Sequence, residues 1–484
     1  MKLSLKRWLA TATKVVAAFA ACLVAFPVVW AFWIARGDPD IRLDQHADYI
    51  ESIRPVDSAA APNIVVVFAD DLGSGDVGSF GSTAVRTPHI DALAADGARL
   101  TTFYAASPVC SPSRFSLLTG RYPPRGFIHS VFFPTGTFMG LLANNFGFPR
   151  GIRGIPADEV TVAEALQAAG YRTGMFGKWH LGDRSPHLPT DKGFDHFFGS
   201  YYSNDMEPYA LYRNDEVEVA APADQSTLTI RLTQEVLSFI DQSERSPFFA
   251  YYATPFPHEP LHASERFAGT SQAGLYGDCV EELDWSVGQI RAALAERGLL
   301  ERTLILFTSD NGPWYQGSPG QRRGRKANTF DGGHAVPMVA SWEGRIPAST
   351  EIDVPAMTID LFPTILAAAG IPLPKDRRID GRDLMPLLAG RSATLDGRHL
   401  YFARGGEFAA VRSAGSFKHV ARHRSENSAY WMARHGPFLF DLDLDPTESY
   451  DLSQRLPDVS EDLAGALQSM NDALQTNPRG WLEP

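Results

Sequence analysis

Two uninterrupted apolar runs constrain this chain more than any other feature. Residues 63–69 read Asn-Ile-Val-Val-Val-Phe-Ala, and residues 303–308 read Thr-Leu-Ile-Leu-Phe-Thr. Neither alternates with polar residues, so each suits a strand buried on both faces. The first run stops at Asp70 and Asp71, the second just before Asp310 and Asn311. Phe248 to Ala253 reads as a third such strand. Helical signals lie between them. Thr87-Pro88 reads as a cap with proline at the first helical position, and Gly97 as its stop. Thr161 to Glu164 forms a capping box closed by Gly170. Leu275 to Leu299 is a long amphipathic pattern, and Asp360 to Ala369 ends at Gly370. Strands alternating with helices predict an α/β fold, a largely parallel or mixed sheet covered on both faces. In such a sheet ligands gather beyond the carboxyl ends of the strands, where both acidic pairs fall.

A chain of 484 residues has room for one large domain and a smaller partner. A boundary falls near 390, giving a larger domain over 62–390, which carries both acidic pairs, and a C-terminal α/β subdomain over 391–484. Short strand-like runs at 399–403, 408–412, 417–421 and 438–442, then a helical pattern from Pro457 to Leu474, predict a small antiparallel sheet with one packed helix. The net charge of −12, with no basic block, argues against a nucleic-acid partner. Three scattered cysteines, Cys22, Cys110 and Cys279, make neither a disulfide framework nor a thiolate metal site.

Residues 1–36 are a separate device. Val15 to Ala35 is a 21-residue run without charge, long enough for a transmembrane helix. Lys2, Lys6, Arg7 and Lys14 precede it and place the N-terminus on the cytoplasmic side. This predicts a membrane anchor, with the remainder periplasmic or otherwise extracytoplasmic. The competing reading is a cleaved signal peptide, which would leave a secreted protein. Residues 37–61 are charged and irregular and read as a tether.

The chemistry centres on Cys110-Ser111-Pro112-Ser113-Arg114. A helix from about Ser113 to Leu118, closed by Gly120, would favour an anion at its N-terminus. If it reaches back to Cys110, Arg114 shares that residue's face. An ordinary thiolate nucleophile and a buried inert cysteine are the rival readings. Asp70, Asp71, Asp310 and Asn311 together make an oxygen-only site for a hard divalent ion, Ca2+ or Mg2+. Alone, each pair would be a solvated turn. Lys178 and His180 lie two apart, so an extended chain points both to one side, where one holds anionic oxygens and the other moves protons. His258 sits between Pro257 and Pro260 just past the third strand. Lys326 ends a basic cluster with Arg322, Arg323 and Arg325 in an acidic protein. A solvated basic loop is the plainer alternative there.

The run from Ser107 to Arg121 closely resembles the signature of type I, formylglycine-dependent sulfatases. The acidic pair upstream and the Lys/His and Asp/Asn pairs downstream follow that family's order. The resemblance spans roughly residues 62–455 and points to the arylsulfatase branch of the alkaline-phosphatase-like superfamily. It implies a large mixed sheet sandwiched by helices and hydrolysis of aryl or alkyl sulfate monoesters. It further implies that a formylglycine-generating enzyme converts Cys110 to formylglycine. Asp70, Asp71, Asp310, Asn311 and modified Cys110 would bind Ca2+. Arg114 would steady the aldehyde hydrate. Lys178, His258 and Lys326 would hold the sulfate, and His180 would take the proton that frees it. Two positions depart from the family pattern: Asp331, where glutamate is common, and His334, where arginine is common. A phosphate or phosphonate ester hydrolase on the same fold is the second reading, and a non-catalytic anion-binding protein the third.

Residues 126–153, glycine- and proline-broken and rich in Phe, Leu and Met, read as a large loop beside the catalytic helix. Its apolar side chains would line a pocket for an apolar sulfate ester, fill an interdomain groove, or rest on the membrane.

Overall fold

The structure is a computed structural model. It describes residues 41–482 except 147, 149–151, 244–245, 396 and 423–435, together with 11, 13–19, 21–22 and 26. Twelve strands belong to the first domain: β1 (Asn63–Ala69), β2 (Ala98–Leu100), β3 (Phe103–Tyr104), β4 (Arg172–Lys178), β5 (His196–Ser200), β6 (Leu211–Arg213), β7 (Glu216–Val219), β8 (Phe248–Ala253), β9 (Thr303–Ser309), β10 (Met338–Ser341), β11 (Thr350–Ile352) and β12 (Ala356–Met357). Ten of them form one mixed sheet in the order β11-β2-β10-β9-β1-β8-β4-β5-β6-β7, and β3 pairs with β12.

At the centre β1 runs parallel to both β8 and β9, with Val66 opposite Tyr251 and Leu306. Strand β4 runs parallel to β8. These four strands therefore end at the same edge of the sheet. The lack of alternation in β1 has its expected cause. Ile64, Val66 and Phe68 pack against helices α3 (Cys110–Thr119), α5 (Val162–Ala168) and α8 (Leu361–Ala369). Val65, Val67 and Ala69 pack on the opposite side against α2 (Pro88–Ala95), α6 (Leu228–Asp241) and α7 (Gly274–Glu296). Gly177 keeps β4 close to its neighbour. A Cβ there would lie 2.0 Å from the Ala253 carbonyl oxygen, and its φ is +114°.

The C-terminal part is an antiparallel sheet of β13 (Leu400–Arg404), β14 (Glu407–Arg412), β15 (Phe417–Val420) and β16 (Phe438–Asp441), covered by α9 (Pro457–Thr476). Its core is shared with the first domain, because Tyr104, Tyr122, Phe330 and Ile359 pack among Phe402, Val411, Leu439 and Leu467. The chain then returns to the first domain. Arg479 pairs with Asp158 at 2.7 Å, and the indole of Trp481 lies beneath the guanidinium groups of Arg121, Arg377 and Arg479.

Two expectations need correction. Residues 37–61 are not irregular throughout, because they contain helix α1 (Leu43–Ser52). It is docked rather than trailing. The Arg42 amide donates to Asp158 at 2.9 Å, His46 meets Glu164 at 3.1 Å, and the Tyr49 hydroxyl donates to the Pro372 carbonyl at 2.8 Å. The segment 126–153 is not wholly loop, because it holds helix α4 (Phe138–Phe146). Within it Phe132 is fully buried and stacks on Phe148 at 4.3 Å, so this side chain serves packing rather than a pocket. The predicted transmembrane helix over Val15–Ala35 lies largely outside the described residues, and among those described no helix is long and apolar enough to cross a membrane.

Candidate active site

Helix α3 begins at Cys110 itself, earlier than its composition implies. Val109 is extended, the Ser113 amide donates to the Val109 carbonyl at 3.3 Å, and Pro112 occupies the first turn, where its missing N–H costs no bond. Gly120 closes the helix with φ +68°. All ten residues are buried. The Cys110 thiol and the Arg114 guanidinium therefore share one face, as helical spacing requires.

That face meets the end of β1. The Cys110 Sγ lies 3.5 Å from Asp70 Oδ1. Arg114 Nη2 donates to Asp310 Oδ2 at 3.0 Å and lies 3.4 Å from Asp70 Oδ2, while Nη1 donates to the Lys178 carbonyl at 2.6 Å. One planar fork thus joins the ends of β1, β9 and β4. Lys178 Nζ donates to Asp70 Oδ2 and, at 3.0 Å, to Ser203 Oγ.

Asp71 turns the chain with φ +64°, which lets two adjacent carboxylates converge. It receives Lys326 Nζ at 2.8 Å and Asn311 Nδ2 at 2.7 Å, and His258 Nε2 lies 3.7 Å away. Asp310 Oδ1 accepts the Asp71 amide at 3.2 Å. The Asn311 Oδ1 is buried without a hydrogen-bond partner. His180 follows β4 in a left-handed conformation, φ +62°, rather than as part of an extended run. Its Nε2 lies 3.0 Å from the Phe132 carbonyl, and its Nδ1 is buried without a partner. Trp179 turns into the body of the domain, as the alternation predicts, and its Nε1 donates to the His187 carbonyl at 2.8 Å.

The electrostatics divide these groups by role. Burial opposes the charge on Asp70, but Lys178, His258, Arg114 and Lys326 outweigh it and hold its carboxyl well below the usual range. Burial, followed by repulsion from Asp70, pushes Asp310 up to about 7. Burial and then Asp70 push the Cys110 thiol far above its ordinary value. Such a cysteine is a poor thiolate nucleophile. Burial, reinforced by Lys178 and Arg114, holds His180 well below the ordinary histidine range, so it is a neutral acceptor. His258 is lowered by burial and then by Lys326.

Ligand atoms from Asp70, Asp71, Cys110 and His258 all lie within 4.8 Å of one another. The orphaned Asn311 oxygen and the Asp310 carboxylate border this group. Three carboxylates and an amide oxygen fit a hard divalent cation, which would replace the charge that Lys178, Lys326 and Arg114 now supply.

All of the sequence-predicted residues reach this site. Two contributors escaped the sequence: Ser203, which holds Lys178, and the Phe132 carbonyl, which holds His180. A lone serine in a loop and a main-chain oxygen leave no pattern. The two atypical positions are second-row supports. Asp331 receives Lys418 at 2.6 Å and the Tyr104 hydroxyl at 2.8 Å, and His334 Nδ1 lies 3.0 Å from the Ala105 carbonyl.

Residues 62–371 match the family model described as sulfatase, and residues 325–473 match the model of the N-sulphoglucosamine sulphohydrolase C-terminal region. Human steryl-sulfatase is 35% identical over 82% of this chain and 85% of its own length. Human arylsulfatase A is 35% identical over 85% of this chain and 87% of its own length. Among solved structures, a sulfatase from Pseudoalteromonas sp. superposes with a TM-score of 0.77 at 27% identity, over 87% of this chain and 92% of that one. The chain belongs to the sulfatase family, with an alkaline-phosphatase-like fold, and is a sulfuric ester hydrolase.

Proposed function

We propose that this enzyme hydrolyses aryl or alkyl sulfate monoesters with Cys110 matured to formylglycine by a formylglycine-generating enzyme. One observation carries the reading: Cys110 opens a buried helix directly against Asp70, with Arg114 behind it joining three strand ends. A cysteine buried among carboxylates has little use as a thiol. As formylglycine it would supply a geminal diol, one hydroxyl attacking sulfur and the other, once deprotonated, expelling sulfate and restoring the aldehyde. A serine would instead leave a stable ester.

Asp70, Asp71, Asp310 and Asn311, with modified Cys110, would hold Ca2+ or Mg2+, which supplies positive charge to the sulfuryl oxygens when bound. Arg114 holds Asp310 and Asp70 and would steady the aldehyde hydrate. Lys178, held at Asp70, and Lys326, held at Asp71, would neutralise sulfate oxygens as charge redistributes. His258, beside Asp71, or Lys326 assists the departing alcohol oxygen. His180 is neutral, buried and has a free Nδ1, so it is placed to accept a proton. We further assign residues 62–390 to catalysis, residues 391–484 to the C-terminal subdomain, and Val15–Ala35 to an anchor that leaves both outside the cytoplasmic membrane, reached by a sulfated small molecule or lipid-like ester. The cationic residues before the anchor support that orientation.

Parallel assays of sulfate and phosphate release, with metal analysis of wild type and Asp310→Ala, test the reading. Sulfate release should dominate, and the variant should lose both metal and turnover. Preferred release of phosphate, or an undiminished metal content in the variant, would count against it.

A further inference from the structure

Helix α4 has one face that no part of the described chain covers. Phe138 is 73% exposed, Met139 54%, Leu141 60% and Leu142 37%. At 100° per residue these positions share one arc. The opposite side is seated. A Cβ on Gly140 would lie 2.0 Å from the Pro134 carbonyl, and Asn144 is buried with its side chain bonded to the Phe133 main chain. Four large apolar side chains standing together on nine residues call for a partner.

Chain length indicates which partner. Arg42 is pinned to Asp158, seven residues after the uncharged run ends at Ala35, so the domain must lie within about 25 Å of that run's end. Asp158 is five residues from Arg153, whose guanidinium donates to the Asn144 carbonyl in α4 at 2.7 Å. The exposed face is thus close to the point where the chain leaves the domain. Ile41 and Leu43 at that exit are also exposed, at 44% and 53%. A cavity of about 640 Å³ adjoins α4, lined by Phe138, Leu141, Arg153, Asp183, Arg184 and His187. The loop seating α4 also reaches the active site, since the Phe132 carbonyl faces His180.

We propose that the Phe138, Met139, Leu141 and Leu142 face of α4 rests in the interfacial layer of the lipid bilayer and turns the adjoining cavity toward it. This rests on the anchor reading of Val15–Ala35. With a net charge of −12, apolar burial rather than attraction to anionic lipid drives the contact, so it is insensitive to salt.

The test uses the full chain in lipid nanodiscs. A polarity-sensitive fluorophore is placed on Met139→Cys in a Cys22→Ser background, Cys110 and Cys279 being buried. The control site is Leu444→Cys, at a residue 84% exposed in the C-terminal subdomain. Spin-labelled lipid should quench the first label several-fold more than the second, at low and high salt alike. Adding Phe138→Asp and Leu141→Asp should abolish that quenching while the chain still co-elutes with the discs. It should also raise KM roughly tenfold for a long-chain alkyl sulfate held in vesicles, and leave KM for a soluble aryl sulfate unchanged. Equal quenching at the two sites in a chain that co-elutes would overturn this inference alone. A chain that never enters the discs would overturn the anchor reading and this inference with it.

Discussion

Arg114 is the residue on which the site's geometry depends. Its guanidinium joins the Lys178 carbonyl, Asp310 and Asp70, three groups that no ammonium can span in one plane. Arg114→Lys should therefore lower kcat at least a hundredfold while the far-ultraviolet spectrum stays unchanged. A loss below tenfold would show that the charge alone suffices. His180 makes a different prediction. Its ring is neutral because burial, Lys178 and Arg114 all disfavour the cation. His180→Ala should release about one equivalent of alcohol per enzyme in a burst and then stall, because the step that frees sulfate needs its proton acceptor. Steady turnover without a burst, read by rapid-quench kinetics, would move that role elsewhere.

At the scale of elements, the ends of β1, β4, β8 and β9 share one edge because parallel pairing gives them no alternative. That much was legible: uninterrupted apolar runs stopping at acidic pairs announce buried strands whose ends carry chemistry. The capping box at Thr161 and the glycine stops at Gly120 and Gly370 were legible too, because each needs a particular residue at a particular backbone angle. Helices α1 and α4 were not. The first buries little beyond Tyr49, and the second lies among glycines and prolines that mimic a loop. The support beneath Lys326 was also hidden. Lys418 in β15 is buried and donates to the Thr329 carbonyl at 3.1 Å and to Asp331 at 2.6 Å, and it pairs with Glu448 at 2.9 Å. The loop bearing Lys326 thus depends on a strand roughly ninety residues further on, a separation that local pattern does not register. Lys418→Met leaves two buried carboxylates facing each other and should cost about 3–5 kcal/mol in urea unfolding, with a raised KM. An unchanged midpoint would show the network to be incidental.

For the whole molecule, the two domains act as one because the tail returns to the nucleophile helix. Arg121, next after Gly120, donates to Glu159 at 2.6 and 2.7 Å, and Arg479 reaches Glu159 at 3.1 Å. Burial opposes the charge on Glu159, but Arg121, Arg479 and Arg377 bring its carboxyl down to about 2. Its pKa is depressed in the folded state, so its contribution is present above the unfolded value near 4.3 and fades as pH falls toward about 2. Between those limits Glu159→Gln should flatten the acid limb of stability, removing a total change on the order of 3 kcal/mol across the window. Thermal melts across that range would reveal a parallel slope in the variant if the carboxylate contributed nothing. The chemistry, though, turns on the Cys110 side chain. Mass spectrometry of the proteolytic peptide containing Cys110, from enzyme made beside a formylglycine-generating enzyme, measures it directly. An aldehyde in place of the thiol is expected, with turnover proportional to the converted fraction and absent in Cys110→Ala. An intact thiol in fully active enzyme, or sustained turnover by Cys110→Ala, would contradict that expectation.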